Sequence, residues 1–470
     1  MKKLMQWVLA ATLVCGASVF TACSNNDDNP SQEQAKKNRK EFVQHTRQNL
    51  KYLAENLNFT TWETINQANQ YFNQYVLTNE AFKKTVVWGA LIKGIQNIKD
   101  VEPGSELAEK GFKKVMTIDM NDFKYRFTQT ADNSDFDRDD ADHFEIVLNG
   151  FNPQTQQVEP SMYKVCLETA GKSIQRIVRV VSVEGAALVY SLPNDFKFTM
   201  STKVGSDWMD AFTGILHFQL PEGAEDTSLG YSANASVISH IPAGHGATSD
   251  DLQLDFAINS DRVNNTGNAL ISYVQNNRKM LELSIKESGE GKGGIRNFDL
   301  TKFTNTSSIF EVLAALMDSE KLDEGKITLL DDLTTTISIS DMQKCLEVSR
   351  EAAVARRHYA DQKTINQYTQ QLNELMSCEM TCKGINQTIP MRMVTQKFGV
   401  DYMPMPAFNF ADENGYVSFV ELLDPESVQY GINIVDHAAE PMQQSVIVIR
   451  QLMEFVGGLF MNMVLPVDQE

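Results

Sequence analysis

Between residues 376 and 405 the chain concentrates sulfur-bearing side chains: Met376, Cys378, Met380, Cys382, Met391, Met393, Met403 and Met405. Thioethers and thiolates favour Cu(I), so an exported soft-metal site is one reading. The spacing favours another. Met391/Met393 and Met403/Met405 fall two apart, as on one face of a strand, where methionine is a core filler. A harder donor set is the acidic run from Asp132 to Glu145, with Asp135, Asp137, Asp139, Asp140 and Asp142. It lacks the glycine and fixed spacing of a calcium loop and reads as solvated acidic chain. His240-Ile-Pro-Ala-Gly-His245 offers two imidazoles from a turn, with no third ligand at a recognised spacing. Gly289 to Gly294 has the glycines of a phosphate cradle without its spacing. Ser161 and Lys164 fit Ser-x-x-Lys inside an expected strand, without the companion motifs of an acyltransferase.

The weak metal candidates are Asp412, Asn414 and Glu421. With Gly415 and Val417 they sit at the offsets of the latter part of an EF-hand calcium loop, which the segment resembles. The match breaks at the first ligand position, occupied by Phe410, and Pro404 and Pro406 deny it an incoming helix. Asn414-Gly415 between Phe408/Phe410 and Tyr416/Val417 predicts a β-hairpin instead. Neither Gly-x-Ser-x-Gly nor His-Glu-x-x-His occurs, so no catalytic residue and no cofactor is assigned. A glycosidase leaves no short signature, and a carboxylate-based hydrolase stays among the alternatives.

The N-terminus carries an address. Met1-Lys2-Lys3 precedes an apolar run from Leu4 to Phe20, then Phe20-Thr21-Ala22-Cys23 and the polar Ser24-Asn25-Asn26-Asp27-Asp28. The run is short for a membrane span and has the layout of an export signal. With Cys23 after the small pair, it resembles the lipobox of bacterial lipoproteins, with Phe in place of the commoner leading Leu. The polar stretch is similar to the tethers of Bacteroidetes-type outer-membrane or surface lipoproteins. That resemblance implies removal of residues 1–22, lipidation of Cys23, a membrane partner through that lipid, and an outer-membrane location, with Ser24 resembling an outer-membrane sorting signal. Loss of Lys2 and Lys3 takes the formal charge from −19 to −21. Such acidity argues against nucleic acid.

Cys166, Cys345, Cys378 and Cys382 follow the lipid site, too few for a disulfide scaffold, so burial must hold the fold. Residues 23–38 read as lipidated Cys and tether, and 39–100 as a helical section with Phe42, Leu50 and Leu53 on one face. Residues 105–300 alternate with period two: Tyr125/Phe127, Phe144/Ile146/Leu148, Val165/Leu167, Phe196/Phe198/Met200, Leu252/Leu254/Phe256/Ile258. Helical spacing returns over 301–383, at Ser308 to Met317 and along a long helix from Asp341 to Met376. Residues 384–470 read as strands plus a buried C-terminal helix, Pro441 to Met463.

The fold class is therefore α+β: a long antiparallel meander, expected to curl into a half-barrel, covered by N- and C-terminal helices. By analogy with half-barrel lipoprotein carriers, the expected role is non-enzymatic binding of an apolar or amphipathic ligand in the cell envelope. The alternative is a glycan- or protein-binding surface module without a cavity.

Overall fold

The computed structural model describes residues 31–56, 96–133, 135–152, 155–171, 175–179, 186–191, 193–221, 229–240, 251–290, 294–297, 320–431 and 434. The Cys23 lipid site, the segment 308–317 and the C-terminal helix expected at 441–463 lie outside them. The chain divides into two compact units, one of residues 1–59 with 254–446, the other of residues 60–253 with 447–470.

Helix α1 runs Gln32–Asn56, so the expected tether ends sooner than residue 38. Ser31 starts it by accepting the Gln34 N–H, and Ala35, Phe42, Leu50 and Leu53 form its buried stripe. Polar but helix-tolerant residues from Gln32 onward extend it back into the segment expected as tether.

In the unit of residues 60–253 the elements are β1 (Lys99–Asp100), the single-turn α2 (Glu106–Glu109), β2 (Lys114–Asp119), β3 (Tyr125–Gln129), β4 (Phe136–Asp140), β5 (Phe144–Asn152), β6 (Gln157–Ala170), β7 (Gln175–Arg179), β8 (Ala186–Ser191), β9 (Asp195–Val204), β10 (Asp207–Gln219) and β11 (Gly230–His240). Strands β1, β2, β8 and β7 make a small sheet of their own. The period-two residues face inward as expected: Phe127, Ile146, Leu148, Val165, Phe198 and Met200 are all buried. The expected meander is antiparallel except where β3 pairs with β5 in parallel, and in the small separate sheet β2 pairs with β8 in parallel as well. The exception in the meander arises because the β3–β4 hairpin folds to the outer side of β3, leaving its inner side to β5.

The other unit continues with β12 (Asp251–Asp261), β13 (Thr266–Gln275), β14 (Arg278–Ser288), β15 (Lys321–Leu329), β16 (Leu333–Ile339), α3 (Met342–Arg357), α4 (Gln362–Leu375), β17 (Met376–Cys382), β18 (Ile385–Phe398), β19 (Asp401–Asn409), β20 (Tyr416–Ser418) and α5 (Phe419–Leu422). The described part of residues 301–383 is mixed rather than helical throughout: α3 and α4 lie within it, and so do the β15–β16 hairpin and β17. Gly325, Ile327 and Leu329 alternate as inward strand positions beyond a register shift that sets them out of phase with Leu322, and Leu330 and Asp331 take positive φ at the reversal. The long helix expected over 341–376 is two, capped by Asp341 and Asp361, whose side chains accept from Lys344 N–H and Thr364 N–H. Both lie against β19, and α4 also against β18.

Sixteen strands follow one order, β20-β19-β18-β17-β16-β15-β14-β13-β12-β11-β10-β9-β6-β5-β3-β4. β4 and β20 end it without pairing to each other. Among the described residues the sheet is therefore not closed, and the expected half-barrel is corrected to an open, largely antiparallel meander. Tight hairpins account for its regularity: Asn276-Asn277 with both φ positive links β13 to β14, Lys383-Gly384 links β17 to β18, and Gly399-Val400 links β18 to β19.

Candidate functional site

The β19–β20 hairpin carries the three weak metal candidates. Asn409 pairs with Tyr416, leaving Phe410 to Gly415 as the connection, so the reversal is longer than the Asn414-Gly415 pair alone. Asp412 Oδ1 accepts the Asn414 N–H at 3.0 Å, and Oδ2 accepts from Asn414 Nδ2 and from Arg39 Nη1, both at 3.1 Å. Burial pushes the Asp412 carboxyl up, but these donors more than offset it and hold it below the usual range. Glu421 accepts the Ser418 N–H at 3.2 Å through one oxygen and Gln396 Nε2 at 3.2 Å through the other, acting as a helix cap for α5. Asp412 and Asn414 bond each other and shape the loop, Asp412 also docks α1 through Arg39, and Glu421 caps α5.

Two clusters that spacing did not reveal bring histidine, carboxylate and thiol together. In the first, α1 supplies His45, the β15–β16 turn supplies Asp332, and the end of β17 supplies Cys382, their ligand atoms lying within 4.8 Å of one another. His45 Nδ1 is 2.9 Å from Asp332 Oδ2, which also accepts from Asn49 Nδ2 at 2.7 Å. Asp332 Oδ1 accepts the Lys383 N–H at 3.1 Å, and the Cys382 thiol points to it at 3.8 Å. Burial, followed by the Asp332 charge and more distantly Glu41, pushes this thiol up to about 12, so on its own it is no nucleophile.

The second cluster, His143, Glu145 and Cys166, lies in the other unit. Sheet register builds it: Glu145 on β5 stands opposite Arg126 on β3 and opposite Cys166 on β6, which in turn faces Thr199 on β9. Arg126 Nε donates to Glu145 Oε1 at 2.6 Å, while His143 Nε2 at 3.2 Å and Cys166 Sγ at 3.6 Å share Oε2. Burial raises Glu145, but Arg126 and His143 reverse the effect and leave its pKa lowered. Burial and then the Glu145 charge push the Cys166 thiol up to about 11. A general acid needs a raised carboxyl and a nucleophile a lowered thiol. This cluster has neither.

The other residues singled out by type do not assemble a site. Met376, Cys378 and Met380 line the buried face of β17, with Cys378 Sγ 3.8 Å from Met391 Sδ on β18. They are core, and the four cysteines from 166 onward are free thiols. Part of the acidic run is β4 itself, whose Asp137, Asp139 and Asp140 are exposed. Lys164 stacks over the Trp208 ring at 5.0 Å, and the Ser161 N–H donates to Asn149 Oδ1. His240 ends β11, while His245 lies outside the described residues.

One buried charge pair also escaped the spacing argument. Glu287 Oε1 accepts the Arg296 N–H at 2.9 Å, and the Arg296 carbonyl accepts from Ser260 Oγ and Arg262 Nε. A Cβ at Gly267 would come within 2.8 Å of both the Arg296 nitrogen and Glu287 Oε1, so this close approach requires glycine. No protein-family model, curated protein sequence or solved structure matches the chain.

Proposed function

We propose that the chain is a lipid-anchored envelope protein that works by binding rather than by chemistry, as a surface module for a glycan or protein partner. The observation that carries this reading is the open sixteen-strand order, which does not enclose a lumen as a closed barrel does. The half-barrel carrier reading rested on curling, which the strand order by itself does not supply. Protein donors occupy both the Asp412 and Glu421 carboxylates, the thiols of both His-carboxylate-Cys clusters are pushed up, and Glu145 is held ionised; all of this favours binding over acid-base or nucleophilic catalysis. The anchor rests on the lipobox at Cys23 and on the strongly acidic body that follows it. The test has two readouts on one preparation. Cys23→Ser should move the chain from the membrane to the soluble fraction. Native mass spectrometry of that soluble chain, purified without detergent, should give the bare protein mass. A co-purified lipid mass would return the carrier reading, and retention of Cys23→Ser in the membrane would remove the anchor.

A further inference from the structure

We infer that His45, Asp332 and Cys382 form a binding site for a divalent transition metal of the zinc type. The three side chains come from three separate elements, 287 residues apart between the first two and 50 between the last two, and meet within 4.8 Å. Imidazole nitrogen, carboxylate oxygen and thiolate sulfur are the donors Zn²⁺ takes, at about 2.0–2.1, 2.0–2.2 and 2.3 Å. Tetrahedral ligands at those lengths stand roughly 3.3–3.8 Å apart, so closing the cluster requires shifts of about 1 Å or less. The carboxylate is already oriented from behind, as metal-bound carboxylates are, by Asn49 Nδ2 and the Lys383 N–H. Access comes from the His45 side, whose side chain is 37% exposed against 15% for Asp332. Glu41, one turn before His45 on α1, adds negative charge on that side.

The companion cluster in the other unit shows what a comparable donor set looks like when an internal cation fills the role. There Arg126 sits 2.6 Å from Glu145 and neutralises it, and an incoming dication would be repelled. Among the described residues, the donors to Asp332 besides the cluster's own His and Cys are a side-chain amide and a backbone N–H. A metal held there would clip α1, the first described helix after the lipid site, to the β15–β16 turn and β17. Its binding energy would then add to the stability of that unit.

The probe is Co²⁺, titrated into the full processed chain carrying Cys23→Ser after removal of metal under reducing conditions. A single equivalent should bind and give a thiolate-to-cobalt charge-transfer band in the near ultraviolet. Added Zn²⁺ should abolish the band and raise the thermal unfolding midpoint. Cys382→Ser should lose the band, and Cys166→Ser should keep it. His45→Gln, which leaves the thiol and the buried carboxylate in place, should weaken binding by roughly tenfold or more. Should Cys382→Ser misfold by circular dichroism, the His45→Gln affinity decides. Absence of the band in the parent, its loss in Cys166→Ser rather than Cys382→Ser, or an unchanged affinity in His45→Gln would each overturn the site.

Discussion

Glu145 is nearly out of contact with water, yet its carboxyl is held below the ordinary range. Burial alone would raise it; the Arg126 guanidinium, with His143 and Lys164, more than reverses that. A depressed folded-state value contributes stability above the unfolded pKa, about 4.3 for Glu, and that stability is lost as pH falls through the lower folded value. Arg126→Met keeps the apolar stem and removes the cation. At pH 7 the variant should be destabilised by about 2 kcal/mol, a figure moderated by the half-exposed guanidinium. The gap should narrow toward acid, because the carboxyl left without its cation is raised by burial and its neutral form is cheap to bury. Urea unfolding of parent and variant at neutral pH and near pH 4 checks this, and an equal gap at both would refute it. None of this was readable from residue types, since Glu145 looked like the end of a solvated acidic run. The row Arg126, Glu145, Cys166, Thr199 exists only through the register of four strands.

Among the elements, α1 holds its unit together across long sequence separations. Phe42 packs its ring 5.1 Å from Phe408 and 5.3 Å from Phe410, and all three side chains are fully buried. Around that apolar centre lie Arg39 on Asp412, Lys36 on Glu413, Arg47 on Asp424 and Asn38 on Gln387, with Arg278 stacked over Tyr52. Magnitudes rank these contacts. Exposed pairs such as Lys36–Glu413 contribute at most about 1 kcal/mol, whereas Phe42→Ala should cost about 3–5 kcal/mol through lost transfer energy and the cavity left behind. Chemical denaturation should show that loss, and Lys36→Ala should lie within about 0.5 kcal/mol of the parent; comparable effects from the two would refute the ranking. The helix, its apolar stripe and the period-two strands were legible because 3.6 and 2.0 residue repeats are local properties. The β15–β16 hairpin was missed because it is flanked by helix-like spacing, Ser308 to Met317 before and Asp341 to Met376 after, which absorbed the intervening alternation.

For the molecule as a whole, an open sheet must solve a problem that a barrel does not have, because each terminal strand leaves one row of backbone donors and acceptors without a ladder partner. The half-barrel expectation was silent on this, since curling was inferred from strand number, whereas closure depends on register and stagger that no local pattern encodes. The two ends manage it differently. At one, β20 is only three residues long, Tyr416–Ser418, too short to template another chain. At the other, β4 exposes Asp137, Arg138, Asp139 and Asp140 in succession behind the single buried Phe136. The acidic run thus gains a physical role at the sheet boundary: three carboxylates would have to be brought against the matching strand of a second copy, at a cost set by like-charge repulsion. The triple change Asp137→Asn, Asp139→Asn, Asp140→Asn keeps side-chain size and the exposed surface while removing that repulsion. It should increase concentration-dependent association in size-exclusion chromatography with light scattering, and added salt should push the parent in the same direction by screening the same charges. A triple variant that elutes as the parent does at every concentration would mean that shape alone protects the β4 edge, and that its acidic residues face a binding partner or bare solvent.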